Sequence, residues 1–148
     1  MARPFKTISW EDYQKLSLSE RAPCCLADNQ TFHTLIAQQF DRPQLERLCR
    51  LATAIRRIAK AKEGMQFLGG RLAHQRAMLY FTQPSTRTFL SFSAACQILG
   101  MKTAEVRDTS TSSEMKGETP EDSIRSFSSY FDVIIMRTPT AGFAERMA

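Results

Sequence analysis

Three short strand-like runs constrain this chain more than any other feature. "RAMLYF" (76–81), "KTAEVR" (102–107) and "VIIMR" (133–137) are separated by stretches whose apolar residues recur at helical spacing. After Pro84, Leu90, Ala94 and Ile98 share one line, Phe92, Ala95 and Leu99 lie beside it, and Gly100 is the stop. In the second spacer Thr119 is the expected N-cap, Pro120 takes the first helical position, Asp122 stands in the place of a capping-box acid, and Ile124, Phe127 and Phe131 form the stripe. Strand, helix, strand, helix, strand in short units predicts an α/β fold: a parallel sheet with helices packed on both faces.

Upstream, Asp41 and Pro43 suit the start of a long helix, and Leu45, Leu48, Leu51, Ala52, Ile55 and Ile58 give it one apolar face, which is expected to be buried. "EGMQFLGG" (63–70) is expected to break that pattern through its glycines and to lead into a connection. Residues 1–40 have mixed polarity and weak periodicity, and are expected to be an N-terminal extension docked on a domain of residues 41–148. "DTSTSSEMKG" (108–117) is too polar for a core and rich in small hydroxyl residues, so a mobile loop is expected there; "AGFAERMA" begins a further helix.

Composition narrows the function classes. The 148 residues are 43% hydrophobic, which suffices for one core. No apolar run approaches the ~20 residues a membrane helix needs, and the opening residues lack the apolar stretch of a secretory signal, so no membrane partner and a cytoplasmic location are expected. Cys24, Cys25, Cys49 and Cys96 have neither metal-ligand spacing nor a secreted disulfide pattern and are read as reduced thiols, Cys96 buried on a helix. The net charge of +5 suits a nucleic acid, an anionic substrate or a solvated surface. Its main cluster, "RRIAKAK" (56–62), lies in helical periodicity without the aromatics that stack on bases, so no nucleic acid is expected.

The remaining charge is better placed. In open parallel sheets ligands collect beyond the carboxyl ends of the strands. Ser85, Thr86, Arg87 and Thr88 follow the first run, Ser112 and Lys116 follow the second, and Arg137 ends the third. A helix start offers unpaired amides and a positive dipole end, hydroxyls add neutral donors, and an arginine fork grips two anionic oxygens. The bland alternative has Ser85 and Thr86 capping the helix, Arg87 in water, and Ser112, Lys116 and Arg137 as solvated or snorkelling side chains. Joint placement at successive strand ends favours an oxyanion pocket.

These residues also carry a resemblance. "FTQPSTRTFLSF", then "TSSEMKGETPEDSIR", then "DVIIMRTP" resemble, in order and spacing over roughly residues 40–148, the Rossmann-like carbamoyl-phosphate domain of the aspartate carbamoyltransferases. Ornithine enzymes are similar around "STRT" but usually lack the "KGET" loop, which favours the aspartate branch. The resemblance implies that Ser85, Thr86, Arg87 and Thr88 hold the phosphate of carbamoyl phosphate. It implies that Thr88 also lies near the carbonyl oxygen, that Arg137 contacts both groups, and that Ser112 and Lys116 reach a neighbouring subunit's active site in a homotrimer. Arg87, Thr88, Arg137 and Lys116 would carry the transfer to L-aspartate, with no metal or organic cofactor.

Two positions depart from the family pattern: Phe89 stands where an arginine is common, and Gln83 where aspartate enzymes usually have glutamate and ornithine enzymes lysine. The family's aspartate-binding half, with its histidine, would lie after Ala148; His33 and His74 both precede the motif. The expectation is therefore a carbamoyl-phosphate-binding half, with an ornithine-type acceptor or a non-catalytic assembly module as alternatives.

Overall fold

The computed structural model describes residues 8–27, 30–107 and 119–148. In chain order these form α1 (Trp10–Lys15), α2 (Leu18–Arg21), β1 (Leu26–Ala27), β2 (Gln30–Thr31), α3 (Arg42–Ile58), α4 (Lys62–Gly69), β3 (Arg76–Phe81), α5 (Thr86–Ile98), β4 (Lys102–Val106), α6 (Pro120–Tyr130), β5 (Val133–Arg137) and α7 (Phe143–Met147), with short 3-10 turns at Ala22–Cys25 and Ala37–Gln39. β1 and β2 make a small antiparallel pair; the main sheet has the order β4-β3-β5.

Both pairings of the main sheet are parallel, Tyr80 standing opposite Val106 and Met136, and Phe81 opposite Arg137. The central strand is covered on both sides, which is why it reads as a continuous apolar run: Ala77 to Phe81 are all buried. Alternation sorts its side chains. Met78 and Tyr80 face one layer with Ile124, Phe127 and Phe131 of and just after α6 and Phe143 of α7, while Leu79 and Phe81 face the other with Phe89 of α5 and Ile135 of β5. Helices thus cover both faces, as the alternating pattern predicts. Tyr80 meets Phe127 at a ring separation of 5.8 Å, and Phe81 meets Phe89 edge-on at 5.4 Å.

The helix starts follow local chemistry. Asp41 accepts from the Gln44 amide at 2.7 Å while the Gln44 side chain accepts from the Asp41 amide at 2.9 Å, a full capping box. Thr119 caps α6 by accepting from the Asp122 amide, and the Asp122 carboxylate accepts from the Thr119 hydroxyl at 2.7 Å rather than closing a reciprocal box. α5 ends in a Schellman motif, with Gly100 N–H on the Gln97 carbonyl and Met101 N–H on that of Cys96. Gly100 has φ +80°, and a Cβ there would run into the Gly69 carbonyl, so both the dihedral and the close approach of α4 require glycine.

Three expectations are corrected. Residues 62–69 form a helix, α4, where the glycines were expected to break the helical pattern. Gly64 is there for proximity: a Cβ would collide with the Ile58 carbonyl at the corner between α3 and α4. The apolar face of α3 is exposed, with Leu45, Leu48, Leu51 and Ile58 at 47, 48, 56 and 38%, because α3 packs chiefly on α4 and its stripe faces away. α5 buries Phe89 and Cys96, while Leu90 and Phe92 face solvent. Apolar residues surround α5 on nearly all sides, so period alone does not choose the inner face.

Before α3, the chain folds back on α7. Tyr13 is buried, its hydroxyl donates to Glu145 at 3.1 Å, Arg21 pairs with the same carboxylate at 3.3 Å, and the Arg21 guanidinium lies 4.9 Å from the Tyr13 ring centre. All four cysteines are free thiols, and burial pushes the Cys25 and Cys96 thiols up in pKa, which keeps them protonated.

Candidate functional site

The carboxyl end of β3 turns into α5 through residues 82–85, and this turn is tied to the neighbouring strand. The carbonyl of Arg137 accepts from the amides of Thr82 at 3.0 Å and Gln83 at 3.2 Å. The start of α5 is therefore held at the tip of β5. Ser85 occupies the N-cap in extended backbone, yet its hydroxyl makes no capping hydrogen bond. That observation counts against the bland reading, in which the hydroxyl is used up by the helix. Thr86, Arg87 and Thr88 form the first turn, whose amides have no partner within the helix.

Ser85 and Thr88 are half-buried, Thr86 and Arg87 exposed. Phe81, Pro84, Ser85, Thr86, Phe89 and Arg107 line a cleft of about 270 Å³. That volume falls just below the ~300–1,000 Å³ usual for drug-sized ligands, so the cleft suits a small anion and not a dinucleotide.

Sheet register decides which side the arginines take. Ile135 belongs to the layer under α5 and Met136 to the opposite layer, so alternation sends Arg137 toward α5, beside its register partner Phe81. On the other flank Val106 pairs with Tyr80, and the next residue, Arg107, places its guanidinium carbon over the Phe89 ring, 4.4 Å from the ring centre. Phe81 is thus flanked on the α5 face by two arginines from two different strands. The Arg137 Nε is buried and has no hydrogen-bond partner among the described residues. A buried donor left this way costs about 1–3 kcal/mol until an acceptor reaches it.

Of the residues expected at the site, Ser85 and Thr86 line the cleft, Arg87 and Thr88 continue the same turn, and Arg137 stands on the same face at the next strand tip. Ser112 and Lys116 lie outside the described residues, as does the loop predicted over 108–117. Arg107 is the lining residue that motif reading passes over. Its signal lay in position: it follows the last residue of a strand one step beyond a side chain that faces the other layer.

The profile of the aspartate/ornithine carbamoyltransferase carbamoyl-phosphate-binding domain matches residues 33–148. The chain belongs to that family. It is 37% identical over 116 residues to the aspartate carbamoyltransferase catalytic subunit of Methanosarcina acetivorans, covering 78% of this chain and 36% of that one. Against aspartate carbamoyltransferase 1, chloroplastic, of Pisum sativum it is 40% identical over 115 residues, 76% of this chain and 28% of the relative. Among solved structures it resembles Trypanosoma cruzi aspartate transcarbamoylase in complex with carbamoyl phosphate and aspartate, with a TM-score of 0.70 and 35% identity over 76% of this chain and 34% of that one. The chain therefore spans about a third of the length of the relatives it matches. No helix among the described residues is long and apolar enough to cross a membrane.

Proposed function

We propose that this chain is the carbamoyl-phosphate-binding half of an aspartate carbamoyltransferase, which converts carbamoyl phosphate and L-aspartate into N-carbamoyl-L-aspartate and phosphate. The observation that carries the reading is the meeting of an uncapped helix start, Ser85 to Thr88, with the Arg137 strand tip on one face of the sheet. Its relatives of known name support aspartate as the acceptor.

In this reading the phosphate sits against the first-turn amides and the hydroxyls of Ser85 and Thr86, with Arg87 gripping two of its oxygens. Arg137 contacts both the phosphate and the carbonyl oxygen, and Thr88 lies near that oxygen. The α-amino group of aspartate attacks the carbonyl carbon, charge builds on that oxygen, and the C–O bond to phosphate breaks with its electron pair leaving on phosphate, which carries off the proton that the amine loses. Fixed donors and cations aimed at both oxygens lower the barrier without reorganising, and holding the two substrates together contributes further. Ser112 and Lys116 act in the active site of a neighbouring subunit of a homotrimer, and aspartate is bound by a region equivalent to the remainder of the longer relatives. The setting is pyrimidine biosynthesis in the cytoplasm.

Calorimetric titration of the 148-residue chain with carbamoyl phosphate tests the reading. Weak binding that inorganic phosphate displaces, lost on Arg87→Ala, is expected, with little or no turnover when aspartate is added. Absence of any phosphate-sensitive binding at millimolar ligand would reject it. Assays of the chain joined to the remainder of a longer relative, with aspartate and with ornithine as acceptors, decide the acceptor.

A further inference from the structure

We infer that Arg107 is an additional anion-binding residue of this cleft, held in place by the ring of Phe89, and that the two act as one unit in recognising the phosphate group. The inference rests on the functional reading above and extends it to residues outside the "STRT" and Arg137 motifs.

Three observations converge on Arg107. It is exposed at the tip of β4 yet lines the same cleft as Ser85 and Thr86. Among the described residues no carboxylate pairs with its guanidinium, although six other cations make ion pairs there: Lys15, Arg21, Arg42, Arg76, Arg125 and Arg146. Its one described interaction is with an aromatic face, 4.4 Å from the Phe89 ring centre.

That form of contact matters chemically. An arginine held over a ring keeps its N–H groups available, because the cation–π contact uses none of them as hydrogen-bond donors. A salt bridge would occupy the same edges that an anion needs. Stacking also removes rotamer freedom before the ligand arrives, so less entropy is lost on binding. Phe89 is itself fixed: it is 6% exposed, and its ring meets Phe81 edge-on at an interplanar angle of 89°. The support runs from the central strand through two aromatic rings to a guanidinium at the mouth of the cleft. Arg107 and Arg137 then flank Phe81 from opposite strands, so an anion at the α5 start lies between cations on both sides.

Titration of the 148-residue chain with inorganic phosphate and with carbamoyl phosphate, followed by calorimetry and amide NMR shifts, tests this. Arg107→Ala is expected to weaken both ligands about tenfold, the loss of one charge-assisted hydrogen bond. Arg107→Lys keeps the charge but not the planar fork, and should fall between Ala and the parent. Phe89→Leu should weaken binding about threefold in the parent and have no effect in the Arg107→Ala background, since the ring acts through the arginine. An Arg107→Ala chain that binds both ligands within about twofold of the parent, while Arg87→Ala loses them, would overturn the inference and leave the functional reading intact. Loss of phosphate-sensitive binding in the parent itself would remove the reading and this inference together. Arg107 is exposed, so its variants should keep the parent's circular dichroism spectrum; Phe89→Leu reports only if it does too.

Discussion

Arg137 has two jobs that oppose each other. Its carbonyl anchors the turn into α5, while its Nε is buried with no partner among the described residues. The backbone role survives any substitution, but the side chain carries a cost that an acceptor reaching Nε would offset. Arg137→Met, similar in length and without donors, is therefore expected to raise the unfolding free energy of the ligand-free chain by about 1 kcal/mol. It should at the same time abolish the thermal stabilisation that phosphate gives the parent, since only the folded state binds. Melting curves with and without phosphate check both halves; a variant destabilised in the absence of ligand would show that Arg137 already has its partner. This opposition was not legible in the sequence, which showed an arginine at a strand end but not that its Nε is enclosed.

The elements differ in how much of their apolar surface the fold uses. Ile124 of α6 is buried in the layer with Met78, Tyr80 and Phe143, whereas Leu48 and Leu51 of α3 are about half exposed. Both helices have an apolar stripe at the same period, and only contact with the sheet separates them. Ile124→Ala is expected to cost about 2–5 kcal/mol through lost transfer energy and a residual cavity. Leu48→Lys and Leu51→Lys should stay within about 0.5 kcal/mol of the parent in this chain. Urea denaturation of the three variants makes the comparison; a large loss at Leu48 or Leu51 would mean that the stripe is covered in solution. The strands were the most legible elements: "RAMLYF" and "VIIMR" coincide with β3 and β5, because a short run closed by a proline or a polar residue leaves little freedom in its ends. α4 was hidden by its glycines, of which Gly64 lets the Ile58 backbone approach while a Cβ at Gly69 would meet nothing.

Across the whole molecule, the first and last helices meet at one titratable cluster. Burial first, and then the hydrogen bond that the phenol donates to the Glu145 carboxylate, push Tyr13 well above its ordinary value of 10.0; the Arg21 guanidinium opposes this weakly. A phenol with a raised pKa in the folded state contributes stability that is complete below the unfolded value and declines as pH rises above it. Docking of the segment before α3 on α7 is thus expected to weaken above about pH 10. Tyr13→Phe should cost about 1 kcal/mol at neutral pH, from the lost hydrogen bond, and should show a shallower alkaline decline than the parent. Thermal melts between neutral and strongly alkaline pH give both numbers; parallel profiles for the two proteins would dissociate Tyr13 from the alkaline loss.

Residue order alone established the parallel α/β alternation, the strand positions, the caps at Asp41 and Thr119, and the gathering of Ser85, Thr86, Arg87, Thr88 and Arg137 near strand ends, since periods, turn chemistry and motif spacing are local properties. Packing chose the rest. Which face of α5 turns inward, that the α3 stripe stays exposed, and that Arg107 comes to lie on Phe89 all depend on the register of β4-β3-β5 and on which layers press together. Those are contacts between residues distant in the chain, and no local pattern specifies them.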